Sequence, residues 1–288
     1  MTYDLALGDP AYSSWSMRGW LLFERFGIPC NTHFARLFSD AFATLITGFF
    51  PARTVPAVRF PEGAIGDSLA IAEELASRHP EAGIWPKAPY ARALARSLAA
   101  EMHSGFLPLR RACPMNLRVS YSSFPVDETV AANLRRLETI WDHARQACGS
   151  DGPWLCGDYS AADAFFAPAA ARIAGYNLEV SASARAYVEA HLADPAFRRW
   201  RAMSLFDGDD RPEYFYDNPR RAWPGPVPLP ARAIESGTPE NAVCPYSGGP
   251  VDHLLETGGR VFGFGSAFDR DKTAADPEAW PEFVMMLN

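Results

Sequence analysis

The stretch PAYSSWSMRGWLLFERFGIP, residues 10–29, gathers the hydroxyls of Tyr12, Ser13, Ser14 and Ser16 just ahead of an apolar run with helical period. One serine suffices to satisfy an orphan amide at a helix start. The surplus either decorates a turn or points at a ligand. A second helix start, GDSLAIAEEL (66–75), sets a carboxylate and a hydroxyl side by side at Asp67 and Ser68. Capping by Asp67 is one reading. The other is that Ser68 and nearby amides hold a ligand carboxylate, helped by the helix dipole, while Asp67 accepts from a ligand ammonium. An amino-acid end group suits that pair. Between the two helix starts, RTVPAV (53–58) puts Pro56 immediately before a strand. An X-Pro bond there either ends an edge strand or turns as cis; the cis form would offer the Val55 N–H and C=O to an extended peptide.

The elements that must position these residues are readable from periodicity. YDLALG (3–8) reads as a strand and SMRGWLLFERFG (16–27) as a helix stopped by Gly27 and Pro29. A hairpin follows around Pro61-Glu62-Gly63, then a helix opening at Asp67-Ser68 and ending near His79-Pro80, so the first 80 residues are mixed α/β. From Ala88 the period becomes helical: Ala91, Leu94, Ala95, Leu98, Ala99, Met102 and Phe106 on one helix, Val130, Leu134, Leu137, Trp141, Ala144 and Cys148 on another. Ser160 and Asp163 resemble a capping box at a third helix, and residues 182–205, broken at Asp194-Pro195, give a last helical pair. Seven prolines between residues 212 and 239 exclude helix and predict an extended strap. The expected domains are therefore 1–82 (α/β), 88–206 (all-α), a Pro-rich linker 207–239 and a small extension 240–288.

With 288 residues, 48% hydrophobic and 13% aromatic, the chain can bury a substantial core. A formal charge of −7 argues against a nucleic-acid surface. No apolar run reaches the roughly 20 residues that span a bilayer, and Asp4 and Asp9 make the N-terminus unlike a signal peptide. A cytoplasmic location without membrane contact is the expectation. Five scattered cysteines, with no C-x-x-C, write neither a disulfide framework nor a complete zinc site.

Taken in order, YSSWSMR, TVPAV, GDSLAIAEEL and GDYSAADAFFAP, with an all-helical segment behind, resemble the glutathione transferase family over about residues 1–205. SSWSMR is most similar to the Ser-type bacterial and zeta-like members, which carry S-S-C-S-x-R there; Trp15 stands in place of the zeta cysteine. The resemblance implies a thioredoxin-like N-terminal domain that binds glutathione as co-substrate, an all-α C-terminal domain and a homodimer. It implies a detoxifying enzyme that activates the glutathione thiol for attack on, or reduction of, small electrophiles. Hydrogen-bond donors favour a thiolate over a thiol whose free pKa is about 8.5. Ser13 matches the first serine of the motif and is the expected donor, with Ser14 in reserve and Ser16 capping the helix. Trp15, Val55, Pro56, Asp67 and Ser68 are the expected glutathione contacts. The electrophile would lie against the helix carrying Met102, His103 and Phe106; His103 is given no role. A protein of the same fold that binds glutathione without turnover, or regulates, is the alternative. The tail from Cys244 resembles a YHS-type metal-binding module, but Gly265 and Asp269 stand where two further cysteines would fall. One thiolate does not hold a metal tightly, so a folded, metal-free extension docked through the strap is expected.

Overall fold

The computed structural model describes residues 2–288. Strand β1 (Tyr3–Leu7) buries Tyr3, Leu5, Ala6 and Leu7, a continuous run that needs cover on both faces. It is central in a mixed sheet of order β2-β1-β3-β4, parallel to β2 (Cys30–Phe34) and antiparallel to β3 (Ala57–Phe60). The hairpin partner β4 (Gly63–Gly66) pairs with β3 across the Pro61-Glu62 turn. Helix α1 (Ser14–Glu24) follows β1, and α3 (Ser68–Arg78) follows the hairpin and packs on α1. On another side, α2 (Asp40–Thr47) supplies Phe42, Leu45 and Ile46 to a cluster with Ala6, Phe49, Val55 and Ala57. This is the expected thioredoxin-like arrangement.

A helical region continues the same compact body: α4 (Pro89–Ser104), α5 (Leu107–Ala112), α6 (Glu128–Cys148), α7 (Ala161–Gly175) and α8 (Ala182–Ala193). Every residue of α7 is buried, and α1 and α4 both pack on it. Its start carries the full capping box: the Asp163 carboxylate accepts from the Ser160 amide at 2.9 Å, from the Ser160 hydroxyl at 3.1 Å and from the Tyr187 hydroxyl at 2.9 Å. A short strand β5 (Ser120–Tyr121) pairs with β6 (Arg220–Arg221) of the strap.

Packing divides the chain at other places than composition suggests. One compact unit holds the residues up to Leu192 together with Asp210–Pro224; the other holds Ala193–Asp209 and Gly225–Asn288. The strap's first part belongs to the first unit because Arg211 pairs with the buried Asp9 at 3.4 Å, the Asn116 amide donates to the Tyr214 carbonyl at 3.1 Å, and the Ser122 N–H donates to the Pro219 carbonyl at 2.8 Å. Helix α9 (Pro195–Ser204), expected with the helical domain, belongs to the second. Its Arg198 grips the Asp276 carboxylate at 2.6 and 2.8 Å, and Arg199 donates to the Ala279 carbonyl at 2.7 Å.

That second unit also contains an antiparallel sheet of β7 (Ala231–Ile234), β8 (His253–Thr257) and β9 (Arg260–Phe264), with α10 (Ala267–Ala275) and α11 (Pro281–Leu287). Phe262, Phe264, Trp280 and Phe283 are buried in it, whereas Phe268 is exposed. Cys244 is buried, and hydrogen bonds from Ser247 and from the Tyr246 and Gly265 amides hold its thiol below the usual value against the opposing effect of burial. Asp269, at the third position of α10, pairs with Lys272 at 2.6 Å. Among the described residues no three His, Cys, Asp or Glu side chains are grouped to hold a metal, and no helix is long and apolar enough to cross a membrane.

Candidate functional site

The turn after β1 decides what each hydroxyl does. Tyr12 and Ser13 both donate their amides to the Asp9 carbonyl, at 3.1 and 2.8 Å, which starts α1 at Ser14, two residues earlier than its period suggests. Ser13, and not Ser16, is therefore the cap: its Oγ accepts from the Ser16 amide at 3.2 Å. The Ser13 proton goes to the Ser16 hydroxyl at 2.7 Å, and Ser16 Oγ in turn accepts from the Gly8 amide at 2.8 Å. Tyr12 faces the strap, accepting from the Arg211 amide at 3.1 Å. Ser14 accepts from Arg172 at 3.5 Å, and among the described residues no acceptor takes its own proton.

A cavity of about 300 Å3 opens beside this turn, lined by Trp15, Thr54, Val55, Pro56, Asp67, Ser68 and His103. Five of these are the residues that the sequence singles out as ligand contacts; Ser13 and Ser14, almost fully buried, do not line it. The Val55–Pro56 bond is cis, Val55 lines the cavity, and among the described residues it has no backbone hydrogen bond. Pro56 sits this close to α1 because Gly19 has no side chain: a Cβ there would fall 2.4 Å from the Pro56 Cβ.

Asp67 divides its carboxylate between two partners. Oδ1 accepts from the Leu69 and Ala70 amides at 2.8 and 3.2 Å, capping α3, while Oδ2 faces His103 Nε2 at 3.2 Å. Its backbone is held at φ 74°, an unfavourable region for a residue with a side chain. Ser68 is wholly buried, and among the described residues its hydroxyl has no partner, an atom that a ligand oxygen would satisfy.

The Trp15 ring is the cavity's aromatic wall. Arg18 and Arg110 lie over it, at 4.7 and 5.1 Å from the ring centre, and His103 meets it edge-on at 5.1 Å. Arg110 donates to the Gly105, His103 and Met102 carbonyls, and Arg172 to those of Cys113 and Pro168. Burial lowers the Arg172 pKa to about 10. Met102 and Phe106 are buried but do not line the cavity. The sequence reading missed Thr54, gave His103 no role and passed over Arg18, whose signal was a lone guanidinium inside the apolar run of α1.

Comparison with known proteins concerns the N-terminal domain and the fold. Residues 12–78 match the family model described as Glutathione S-transferase, N-terminal domain. A maleylacetoacetate isomerase of Dictyostelium discoideum is 36% identical over 72 residues, 25% of this chain and 33% of that protein. Another of that name from Rattus norvegicus is 28% identical over 146 residues, 50% of this chain and 63% of that one. The chain thus spans less than two thirds of either relative. A glutathione transferase homologue from Burkholderia gl BGR1, solved with bound glutathione, superposes with a TM-score of 0.54 at 21% identity, covering 72% of this chain and 100% of its own. Residues 12–78 thus match the glutathione S-transferase N-terminal domain, and the chain shares its fold with a solved glutathione transferase homologue.

Proposed function

We propose that the chain binds glutathione in the Trp15–Asp67 cavity and activates its thiol for attack on, or reduction of, small electrophiles. One observation carries the reading: a carboxylate oxygen held only by His103, a buried hydroxyl without a partner among the described residues and a peptide edge without a backbone hydrogen bond, from Asp67, Ser68 and Val55, line one cavity between two helix starts. Asp67 would take the ligand ammonium in exchange for His103, Ser68 and the first amides of α3 its carboxylate, and Val55 its central peptide unit. The donor to sulfur comes from the Ser13–Ser14 pair. Ser14 is the better placed, because its proton is unengaged while that of Ser13 serves Ser16. Bound glutathione in the Burkholderia structure supports the ligand. Phe38 and Phe50, large apolar groups largely open to solvent, support a homodimer; the detoxifying role comes from the family resemblance and the cytoplasmic location from the sequence reading.

Titration of the bound thiol by its thiolate absorbance tests the reading. A pKa well below the free value of about 8.5 is expected. Binding with an unshifted thiol would favour the non-catalytic alternative, and no binding would remove both.

A further inference from the structure

Arg18 is wholly buried in α1, and among the described residues none of its three guanidinium nitrogens has a hydrogen-bond partner. Its carbon lies 4.7 Å from the centre of the Trp15 ring and 5.1 Å from that of Phe165. The charged groups that face it are Arg110 from α5, Arg172 from α7 and Asp67 from the start of α3, while His103 of α4 touches the same Trp15 ring. Arg110 and Arg172 are satisfied by carbonyls; Asp67 is divided between its cap and His103. Positive charge is thus in excess behind the cavity wall. A buried cation without an acceptor is strongly unfavourable, and an apolar side chain of similar length would fill the slot between Trp15 and Phe165. Burial, then Arg110 and Arg172, press the Arg18 pKa well down.

We propose that Arg18 is a positioning residue for the thiol step: its unpaired charge, acting through the Trp15 ring, has its counter-ion supplied by the thiolate of bound glutathione. The inference rests on glutathione occupying the cavity. The thiol proton leaves to solvent, no bond to Arg18 forms, and the guanidinium stabilises the sulfur anion across a dry, low-dielectric wall.

The test uses the full chain and the variants R18M and R18K, with glutathione and S-methylglutathione, which has no thiol to ionise. R18M should raise the bound thiol pKa by about one unit, a tenfold smaller ratio of thiolate to thiol at a given pH. R18K, which keeps the charge, should restore most of that shift. S-methylglutathione should bind wild type and R18M alike, and R18M should melt no lower than wild type. An unchanged thiol pKa in an R18M protein that still binds glutathione overturns the proposal. So does an equal loss of affinity for both peptides, and so does an R18M protein that unfolds or melts well below wild type, because the guanidinium would then be holding the core. Failure of wild type to bind either peptide removes the glutathione reading itself, and this inference with it.

Discussion

Adjacent serines with the same burial have different prospects, because a hydroxyl has one proton to give. Ser13 gives its proton to Ser16, so Ser13→Ala should lose a helix cap worth about 1 kcal/mol in thermal unfolding. Ser14→Ala should instead lower turnover with a chromogenic electrophile about tenfold or more, with a smaller change in glutathione KM. The reverse pattern would return the donor role to Ser13. At Asp67, asparagine separates the two jobs: it can still cap the Leu69 and Ala70 amides but carries no charge for an ammonium. Asp67→Asn should therefore weaken glutathione by about 1.5 to 3 kcal/mol in calorimetry while leaving the melting temperature nearly unchanged. A melting temperature that falls without a loss of affinity would mean that Asp67 only caps. The hydroxyl cluster and the Asp67-Ser68 pair were legible because their residue types carry the chemistry. The division of labour between Ser13 and Ser16 was not, since it depends on the Asp9–Tyr12 turn that sets where α1 begins.

Among the elements, α1 holds the site together by approaching Pro56 where Gly19 leaves room. Gly19→Ala, which would favour an isolated helix, should here cost about 1 to 3 kcal/mol and weaken glutathione, because the Pro56 ring cannot yield to a methyl group at 2.4 Å. If the variant is as stable and binds as well, α1 slides more freely than this contact implies. Helix α8 carries a different constraint. His191 is buried against Trp154 and Tyr187, its Nε2 has no partner, and burial, with the nearby Arg25, lowers its pKa to about 3. A histidine that stays neutral when folded but protonates near 6.5 when unfolded removes stability as pH falls between those values, by up to about 1.4 kcal/mol per unit. Chemical denaturation at pH 7 and pH 5 should therefore show a smaller loss in His191→Phe than in wild type; equal losses would exclude His191 as a cause. The long helices were legible from their period. Strand β2, with the sequence CNTHF, and helix α2 were not: β2 shows no apolar alternation, and the inward face of α2, Phe42, Leu45 and Ile46, spans only eight helical residues and is half-buried.

Across the whole molecule, the chain passes from one compact unit to the other three times, after residues 192, 209 and 224. Composition marked the Pro-rich strap but not this alternation, since Arg211 and Asp9 lie 202 residues apart and only the fold pairs them. Deleting residues 225–288 should lower the melting temperature by stripping α9 of its partners at Asp276 and Ala279. Deleting 207–288 should lower it further, because Asp9 and Tyr12 then also lose Arg211. Equal midpoints for the two truncations would mean that the strap adds nothing. The same alternation sets an order of events on the ribosome. At about 5 to 20 residues per second, α9, which ends at Ser204, is made roughly 4 to 17 s before Asn288 completes its unit. For that interval a nascent helix with buried-type residues Phe197, Trp200 and Met203 has no surface of its own to cover, and it is the segment on which a chaperone should be found during synthesis.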